Sequence, residues 1–413
     1  MSRFALIVFL ALLPSIARAD DARWVQFGPN GTVEARVATA GAQCPDIVLD
    51  GHASRMVVRA TATPEFPLVC SASLPAQLRH ASIGGMDLTL PVADPQRILV
   101  LGDTGCRIKG SAVQSCNDPA QWPFAKLAAS ASALKPDLVV HLGDYLYREN
   151  ACPADNAGCQ GTPFGDNWPT WAADFFTPGQ PLLAAAPWVF VRGNHEDCQR
   201  AGLGWTRLLA TGAFDAATPC ADHTAPYIVP LDTMKLVVMD DANAPDTSVD
   251  ANAVPAYRTE FAALGQQTGP LWLLSHRPVW GAVSGPLGIP VGGNATLIEA
   301  LGAGGIPKPV ELLLSGHIHA FEAMNYKDKA PPQIIIGGGG DKLDDTPKDL
   351  KGAIFQGSSG VSVKDGLSID GFGFLLLTKA AAGWDIQLYD QDGAPVRKCA
   401  FAGGRVDCPA PAK

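Results

Sequence analysis

Three features that define other classes of protein are missing from this chain of 413 residues. Neither the N-terminal apolar run nor any run after it approaches the roughly 20 apolar residues that a membrane-spanning helix needs, so we expect no transmembrane anchor. Lysine and arginine form no cluster and the net charge is −9, which argues against nucleic acid as a bulk partner. No Cys-x-x-Cys pair occurs, which disfavours a cysteine-based zinc site.

Charged residues are also scarce, at 17%, whereas hydrophobic residues make up 47%. This balance predicts a well-packed core and excludes a disordered chain. The length predicts one large domain or two of medium size. Glycine and proline are frequent, at 43 and 34 residues, so we expect many loops, some of them long.

Residues 1–19 have the pattern of a secretory signal peptide. Arg3 supplies the positive end, residues 4–13 the apolar run, and Ala17-Arg18-Ala19 the small-x-small cleavage site. The alternative is a buried N-terminal helix. Cleavage after Ala19 would remove two arginines and make the net charge more negative, and the protein would be secreted or periplasmic.

Ten cysteines in an exported chain indicate disulfides, because thiols oxidise outside the cytosol. Connectivity does not follow from spacing alone. Near neighbours along the chain give the predicted pairs Cys44–Cys70, Cys106–Cys116, Cys152–Cys159, Cys198–Cys220 and Cys399–Cys408.

The pattern of apolar and polar residues changes near residue 95. Residues 20–95 contain short alternating runs between turn residues, which predict a small all-β domain, an immunoglobulin- or fibronectin-like sandwich. Residues 96–413 begin with apolar strands separated by segments long enough for helices, such as 121–134. This alternation predicts an α/β (α+β) domain, with an antiparallel part where the helical spacers end.

Five apolar strands in the second part each end directly at residues that can bind a metal. The runs are RILVLGD at 97–103, DLVVHLGD at 137–144, PWVFVRGNHED at 187–197, PLWLLSH at 270–276 and VELLLSGHIH at 310–319. Ligands of α/β proteins gather at the carboxyl ends of strands, so we expect these side chains to converge. Taken alone, Asp144 would be interpreted as a cap of the next helix; the recurrence of the pattern in five strands favours a metal site.

Imidazole, carboxylate and carboxamide groups together suit Zn, Fe or Mn, and a second metal if a carboxylate bridges. His317-Ile318-His319 is informative because residues i and i+2 of an extended segment lie on one face. The two imidazoles could therefore serve two adjacent metals. The alternative is a surface histidine pair.

The order of these blocks resembles the calcineurin-like metallophosphoesterases, which are two-metal hydrolases on a β-sandwich flanked by helices. The blocks are GD-TG at 102–105, GDYLY at 143–147, GNHE at 193–196, LLSH at 273–276 and GHIH at 316–319. Most of the family opens with Asp-x-His, but this chain has Gly105 at the histidine position. The purple acid phosphatase branch shows the same departure and compensates with a tyrosine, which corresponds to Tyr147.

The resemblance implies two sets of metal ligands that share Asp144. The first metal would take Asp103, Asp144, Tyr147 and His319, and the second would take Asp144, Asn194, His276 and His317. The first metal would be Fe(III), which a hard phenolate donor also favours, and the second Fe, Zn or Mn. Cys106 is an alternative ligand, although a disulfide is the preferred interpretation.

The resemblance also implies a mechanism for phosphate ester hydrolysis. A metal-bridging hydroxide would attack phosphorus, and His195 would be the general acid. Glu196 could orient that imidazole or raise its pKa. Arg277 could bind the phosphate of a small-molecule ester or form a salt bridge elsewhere.

The resemblance favours an exported acid phosphomonoesterase. The alternatives are a phosphodiesterase for nucleotides or lipid head groups and a non-catalytic binding protein. Two long segments, 148–186 and 337–371, could form a rim that selects the substrate or be plain insertions. Asn30-Gly-Thr and Asn294-Ala-Thr are glycosylation sequons, which matter only in a eukaryotic secretory pathway.

Overall fold

Two β-sheets packed face to face form the centre of the computed structural model, which describes residues 21–286, 289–327, 330–355 and 360–410. The predicted signal peptide lies outside the described residues. The strands are β1 Ala22–Phe27, β2 Val33–Thr39, β3 Asp46–Leu49, β4 His52–Arg55, β5 Val57–Ala60, β6 Leu68–Ser73, β7 Ala81–Ile83, β8 Met86–Asp87, β9 Arg97–Leu101, β10 Ile108–Lys109, β11 Ala112–Val113, β12 Leu138–His141, β13 Trp188–Phe190, β14 Tyr227–Pro230, β15 Lys235–Val238, β16 Leu271–Ser275, β17 Ala282–Ser284, β18 Pro290–Gly292, β19 Val310–Ser315, β20 Phe321–Tyr326, β21 Gln333–Ile336, β22 Ile354–Phe355, β23 Val363–Ile369, β24 Gly373–Ala380, β25 Gly383–Asp390, β26 Pro395–Ala402 and β27 Arg405–Asp407.

Helices cover the outer faces of both sheets. They are α1 Phe124–Ala133, α2 Trp168–Trp171, α3 Thr177–Ala185, α4 Gly202–Leu208, α5 Val254–Leu264 and α6 Ala295–Leu301. A π-helical turn at Ala172–Phe176 joins α2 to α3, and Asn194–Glu196 forms one 3₁₀ turn. Within the described ranges, no helix combines the length and apolar character needed to cross a membrane.

Among the described residues, the first large sheet has 11 strands in the order β27-β26-β25-β24-β9-β12-β13-β1-β2-β6-β5. The second has seven in the order β14-β15-β16-β19-β21-β20-β23. Strands β9, β12 and β13 run parallel, as do β15, β16, β19 and β21. Antiparallel strands β24 and β20 flank the parallel groups, as the missing helical spacers predict.

The strands that carry the predicted ligands are apolar on both faces because both faces are buried. In β9, Ile98 and Val100 face the core between the sheets, whereas Leu99 and Leu101 face α1 and α3. In β16, Trp272 and Leu274 face the same central core, and the alternate residues contact α5 and α6. The result is a helix–sheet–sheet–helix sandwich, which confirms the predicted fold class.

The N-terminal segment is all-β and continues the larger sheet. Strand β1 pairs in parallel with β13 through Gln26 and Trp188, and β2, β6 and β5 follow in antiparallel order. Strands β3, β4, β7 and β8 form a small separate sheet. Val25 and Val37 belong to the same core cluster as Val100, so packing is continuous across the predicted boundary at residue 95. A separately folding N-terminal domain stays a prediction.

All five predicted disulfides are present, which confirms the local pairing. The bonded pairs are Cys44–Cys70, Cys106–Cys116, Cys152–Cys159, Cys198–Cys220 and Cys399–Cys408. Cys106 is therefore unavailable as a metal ligand.

Candidate metal centre

The predicted ligands meet at the seam between the two sheets, at the carboxyl ends of their parallel strands. Asp103, Asp144 and Asn194 follow β9, β12 and β13 of the larger sheet, and three histidines follow β16 and β19 of the smaller one. Hydrogen bonds join the residues that follow the two sheets: His317 N donates to Asp103 Oδ2 over 2.9 Å, and His276 Nδ1 lies 2.8 Å from Leu142 O. The expected convergence therefore draws on both sheets.

We name the first group of four the tyrosine pocket: Asp103, Asp144, Tyr147 and His319. The phenol oxygen of Tyr147 lies 2.7 Å from Asp144 Oδ2, 3.0 Å from Asp103 Oδ1 and 3.1 Å from His319 Nε2. One hydroxyl proton cannot satisfy three acceptors, and both carboxylates are buried. Such a concentration of oxygen and nitrogen donors fits a cation.

We name the second group the histidine pocket: Asp144, Asn194, His276 and His317. His276 Nε2 lies 3.0 Å from Asn194 Oδ1, 3.2 Å from Asp144 Oδ2 and 3.3 Å from His317 Nδ1. The ligand atoms of Asp144, His276 and His317 all lie within 4.8 Å of one another. Asp144 Oδ2 thus contacts both pockets, as expected of a carboxylate that bridges two metals.

The hydrogen bonds of the three histidines aim a lone pair into the pockets. His319 Nδ1 lies 2.7 Å from Lys342 O, and His276 Nδ1 lies 2.8 Å from Leu142 O. Because a carbonyl oxygen can only accept, each Nδ1 carries a proton, and Nε2 is the nitrogen that would bind a metal. In His317 the roles are reversed, since Nε2 lies 3.0 Å from Asp246 Oδ2 and Nδ1 faces His276.

The raised pKa values of His319, His276 and Tyr147 indicate an excess of negative charge in the two pockets. Burial opposes the charged form of His319, but Asp341 and Asp103 overcome it and raise its pKa to about 10. Burial likewise opposes a charged His276, and Asp144 raises its pKa to about 9. Burial and the carboxylates of Asp144 and Asp103 together raise the pKa of Tyr147. Protons are thus retained where bound cations would replace them.

The backbone at three of these residues is held in a conformation that L residues rarely adopt. Asp103, Asp144 and His317 have φ values of 60°, 61° and 71°. They are half of the six non-glycine residues with positive φ in the described part of the chain. Such strain persists where surrounding structure imposes it, typically at functional sites. At Gly193 a Cβ atom would lie 2.1 Å from Asp144 N, so only glycine fits.

Comparison of the sequence with known protein families identifies the family of the chain. The sequence matches the family model of the calcineurin-like phosphoesterases over residues 96–321, more than half of the chain. The chain belongs to the calcineurin-like phosphoesterase family. This confirms the resemblance carried by the five sequence blocks, and the metallophosphoesterase fold implies divalent metal ions.

Solved structures show the same fold at low identity. A purple acid phosphatase from yellow lupin (Lupinus luteus) seeds is 13% identical with a TM-score of 0.56, covering 92% of this chain and 74% of the lupin chain. PhoD is 11% identical with a TM-score of 0.50, covering 95% of this chain and 92% of PhoD. At these identities the likeness establishes the fold alone. No curated protein sequence matches this phosphoesterase.

Glu196 has a different task from the one predicted. Its two carboxylate oxygens accept the backbone N–H groups of Tyr145, Leu146, Asp144 and Gly193 over 2.8, 3.1, 3.0 and 3.1 Å. The prediction that Glu196 orients the His195 imidazole is therefore wrong in this phosphoesterase. The carboxylate instead stabilises the GDYLY turn, on which Asp144 and Tyr147 depend.

Glu149 is the residue that contacts the His195 ring. His195 Nδ1 lies 2.7 Å from Glu149 Oε1, and Arg200 forms an ion pair with the same carboxylate. The ring lies over Tyr147 with centroids 3.7 Å apart, and His195 N donates to Asp144 Oδ1 over 2.8 Å. Burial lowers the pKa of His195 to about 4, although Asp144 and Glu149 oppose this shift. Sequence reasoning missed Glu149 and Arg200.

Arg277 lies at the histidine pocket but is already engaged. Its Nη1 forms an ion pair with Asp246 and lies 3.3 Å from His317 Nε2, and its Nε donates to Ala242 O over 3.2 Å. Of the two predicted alternatives the structure has the salt bridge. Phosphate binding by Arg277 stays a prediction that requires the guanidinium to share or exchange Asp246.

The two long segments differ in their relation to the centre. Segment 148–186 begins beside the centre, where Glu149 contacts His195, and its later residues Trp171 and Phe175 are fully buried against the larger sheet. In segment 337–371, Asp344 Oδ2 accepts His319 N over 2.9 Å, and Asp341 is paired with Arg107. The second segment therefore contributes its first residues to the wall of the tyrosine pocket.

Proposed function

We propose that this phosphoesterase is an exported, dinuclear-metal phosphomonoesterase of the acid phosphatase type. The observation that carries the proposal is the position of Asp144 Oδ2, 2.7 Å from Tyr147 Oη and 3.2 Å from His276 Nε2. A single carboxylate oxygen between two complete donor sets suits a shared ligand of two metals. The family match supports phosphate esters as the substrate class.

The donor types of the two pockets support different metals. We propose Fe(III) in the tyrosine pocket, because a phenolate and two carboxylates are hard anionic donors. We propose Fe, Zn or Mn in the histidine pocket, where two imidazoles and a carboxamide are neutral donors. Two bound cations supply charge that activates water and neutralises the phosphoryl group during transfer.

Proton delivery to the leaving oxygen is the proposed role of His195. The ring packs against Tyr147, and its Nε2 lies 3.9 Å from Asp144 Oδ2, so it borders both pockets. Contact of Nδ1 with Glu149 fixes the ring and leaves Nε2 as the atom that donates. Because the pKa of His195 is about 4, the acidic form is populated at low pH, which supports an acid optimum.

A small-molecule monoester is the proposed substrate. Arg107 lies over the Tyr147 ring and Arg277 beside His317; both are partly exposed, and each is paired with a carboxylate. We propose that Arg277 contacts the substrate phosphate once it shares Asp246. Export is supported by five disulfides and by the signal-like sequence of residues 1–19.

Hydrolysis of p-nitrophenyl phosphate and of bis-p-nitrophenyl phosphate tests the proposal. We expect the monoester to be hydrolysed with the higher kcat/KM, and the activity to disappear in Asp144→Asn. A strong preference for the bis-ester would overturn the phosphomonoesterase assignment and leave a phosphodiesterase on the same scaffold. If Asp144→Asn retains both activities, the assignment of Asp144 as a metal ligand is overturned.

A further inference from the structure

A carboxylate that the sequence did not single out lies against the histidine pocket. Asp246 Oδ2 is 3.0 Å from His317 Nε2 and forms an ion pair with Arg277, while Oδ1 accepts Asn294 Nδ2 over 2.8 Å. The side chains of His317, Arg277 and Asn294 therefore converge on this carboxylate, and Arg277 Nη1 also lies 3.3 Å from His317 Nε2. The side chain of Asp246 is 31% exposed and that of His317 is 24% exposed.

The start of helix α6 fixes the position of this carboxylate. Asn294 is fully buried, and its Nδ2 also donates to Ala244 O over 2.9 Å. Its Oδ1 caps the helix by accepting Leu297 N over 2.8 Å, and Ala295 N donates to Asp246 O over 2.9 Å. Backbone and side chain of Asp246 are thus both held. The same contacts leave Asn294 no free amide for glycosylation, in contrast to the sequon expectation.

His317 is the ligand candidate that most needs such support. His276 and His319 each direct Nδ1 at a backbone carbonyl, which fixes their rings from within the core. His317 has no such carbonyl contact among the described residues, and it presents Nδ1 rather than Nε2 to the pocket. Only an acceptor at Nε2 selects this tautomer and ring orientation.

We propose that Asp246 is a positioning residue for the metal of the histidine pocket. Its Oδ2 accepts the Nε2 proton of His317, which leaves the Nδ1 lone pair directed at the pocket and increases the donor strength of the ring. Removal of such an outer carboxylate typically costs about 10–100-fold in metal affinity. The inference rests on the proposed two-metal function and adds a residue specific to one of the two pockets.

Zinc titration of the metal-stripped full chain by calorimetry tests this role. Zn²⁺ alone is the probe because imidazole, carboxylate and carboxamide donors all accept it. We expect the wild type to bind two equivalents, and Asp246→Asn to bind one with unchanged affinity and the other about 10–100-fold more weakly. Asp345→Asn removes the same charge from an exposed residue of the 337–371 segment and should match the wild type.

A second variant separates positioning from folding. Asp246→Glu keeps the carboxylate and should recover most of the lost affinity; a Glu variant as weak as the Asn variant would overturn the proposal. If Asp246→Asn binds both equivalents of Zn²⁺ as tightly as the wild type, the positioning role of Asp246 is also overturned, whereas the two-metal proposal stands. If the wild type itself binds fewer than two equivalents, the two-metal centre fails, and this inference fails with it.

Discussion

The two pockets of the metal centre differ in charge and in enclosure. The tyrosine pocket has three oxygen donors, and Asp103 and Tyr147 are completely buried. The histidine pocket has neutral donors apart from the shared Asp144, and His317 is partly exposed beside the Asp246–Arg277 pair. We propose that the closed, more anionic pocket retains its cation, whereas the open pocket exchanges its cation and contacts the substrate.

Removal of the shared carboxylate should have the largest effect, because it disables both pockets at once. Asp144→Asn keeps the shape of the side chain but removes the only charge common to the two donor sets. We expect activity to fall by more than about 10³-fold, the upper end of the cost of one lost electrostatic contact. Metal analysis by mass spectrometry should find fewer than two ions per chain. Full metal content in this variant would mean that the pockets do not share Asp144.

Single substitutions in each pocket should separate their properties. Tyr147→Phe removes the phenol and should abolish the broad visible charge-transfer band expected of a tyrosine–Fe(III) pair, while the metal of the histidine pocket stays. Asn194→Ala should have the opposite outcome, with the band retained and the second ion lost. Absorption spectra and metal content of the two variants provide the measurement.

A colourless, active wild type containing only zinc or manganese would refute the ferric assignment but not the phosphoesterase function.

The pH profile should report His195, which borders both pockets. Burial lowers its pKa to about 4, so its protonated form declines as the pH rises through that value, and kcat/KM should decline with it. His195→Gln should lose about 10²–10⁴-fold of activity at acidic pH and show no such decline.

Glu149→Gln provides the matched test of the same profile. Glu149 raises the pKa of His195, so its neutralisation should move the alkaline decline of kcat/KM to lower pH. A shift to higher pH, or none, would show that Glu149 does not act on the imidazole.

The smallest effect concerns a histidine outside the centre. His223 Nε2 lies 2.6 Å from Glu260 Oε1, and this contact raises the pKa of His223. A raised folded-state pKa stabilises the fold below the unfolded value of about 6.5, and this contribution is lost as the pH rises through the folded value. His223→Gln should therefore lower stability by less than about 1 kcal/mol at pH 5 and leave it unchanged at pH 9. Thermal unfolding at both pH values measures this, and equal losses would exclude a charge effect.

The ligand candidates could be predicted from the sequence because each signal is local. An apolar strand followed by Asp, Asn or His is visible within ten residues, and the parallel arrangement brings the strand ends together. The assumption that near neighbours pair also predicted the five disulfides, although spacing alone allows many other pairings. The division of these strands between two sheets could not be predicted, because the residues of a strand do not determine its position in a sheet or its neighbouring strands.

The supporting residues could not be predicted because their partners are distant in the chain. Asp246 and His317 are 71 residues apart, and the acid at 246 belongs to a loop without a motif. Glu196 was assigned to His195 from adjacency, but neighbours in a 3₁₀ turn point in different directions. A long-range contact to Glu149 supplies the partner instead. The N-terminal strands were predicted correctly as β-structure, but the pairing of β1 with β13 joins distant parts of the chain and could not be predicted.

Anomalous diffraction from crystals of the metal-loaded wild type would locate the bound metals. We expect two metal peaks about 3.5–4 Å apart, one on each side of Asp144 Oδ2. Tyr147 Oη should ligate one ion, and His276 Nε2 the other. A single peak, or two peaks that do not share Asp144, would show that the two pockets do not form a dinuclear centre.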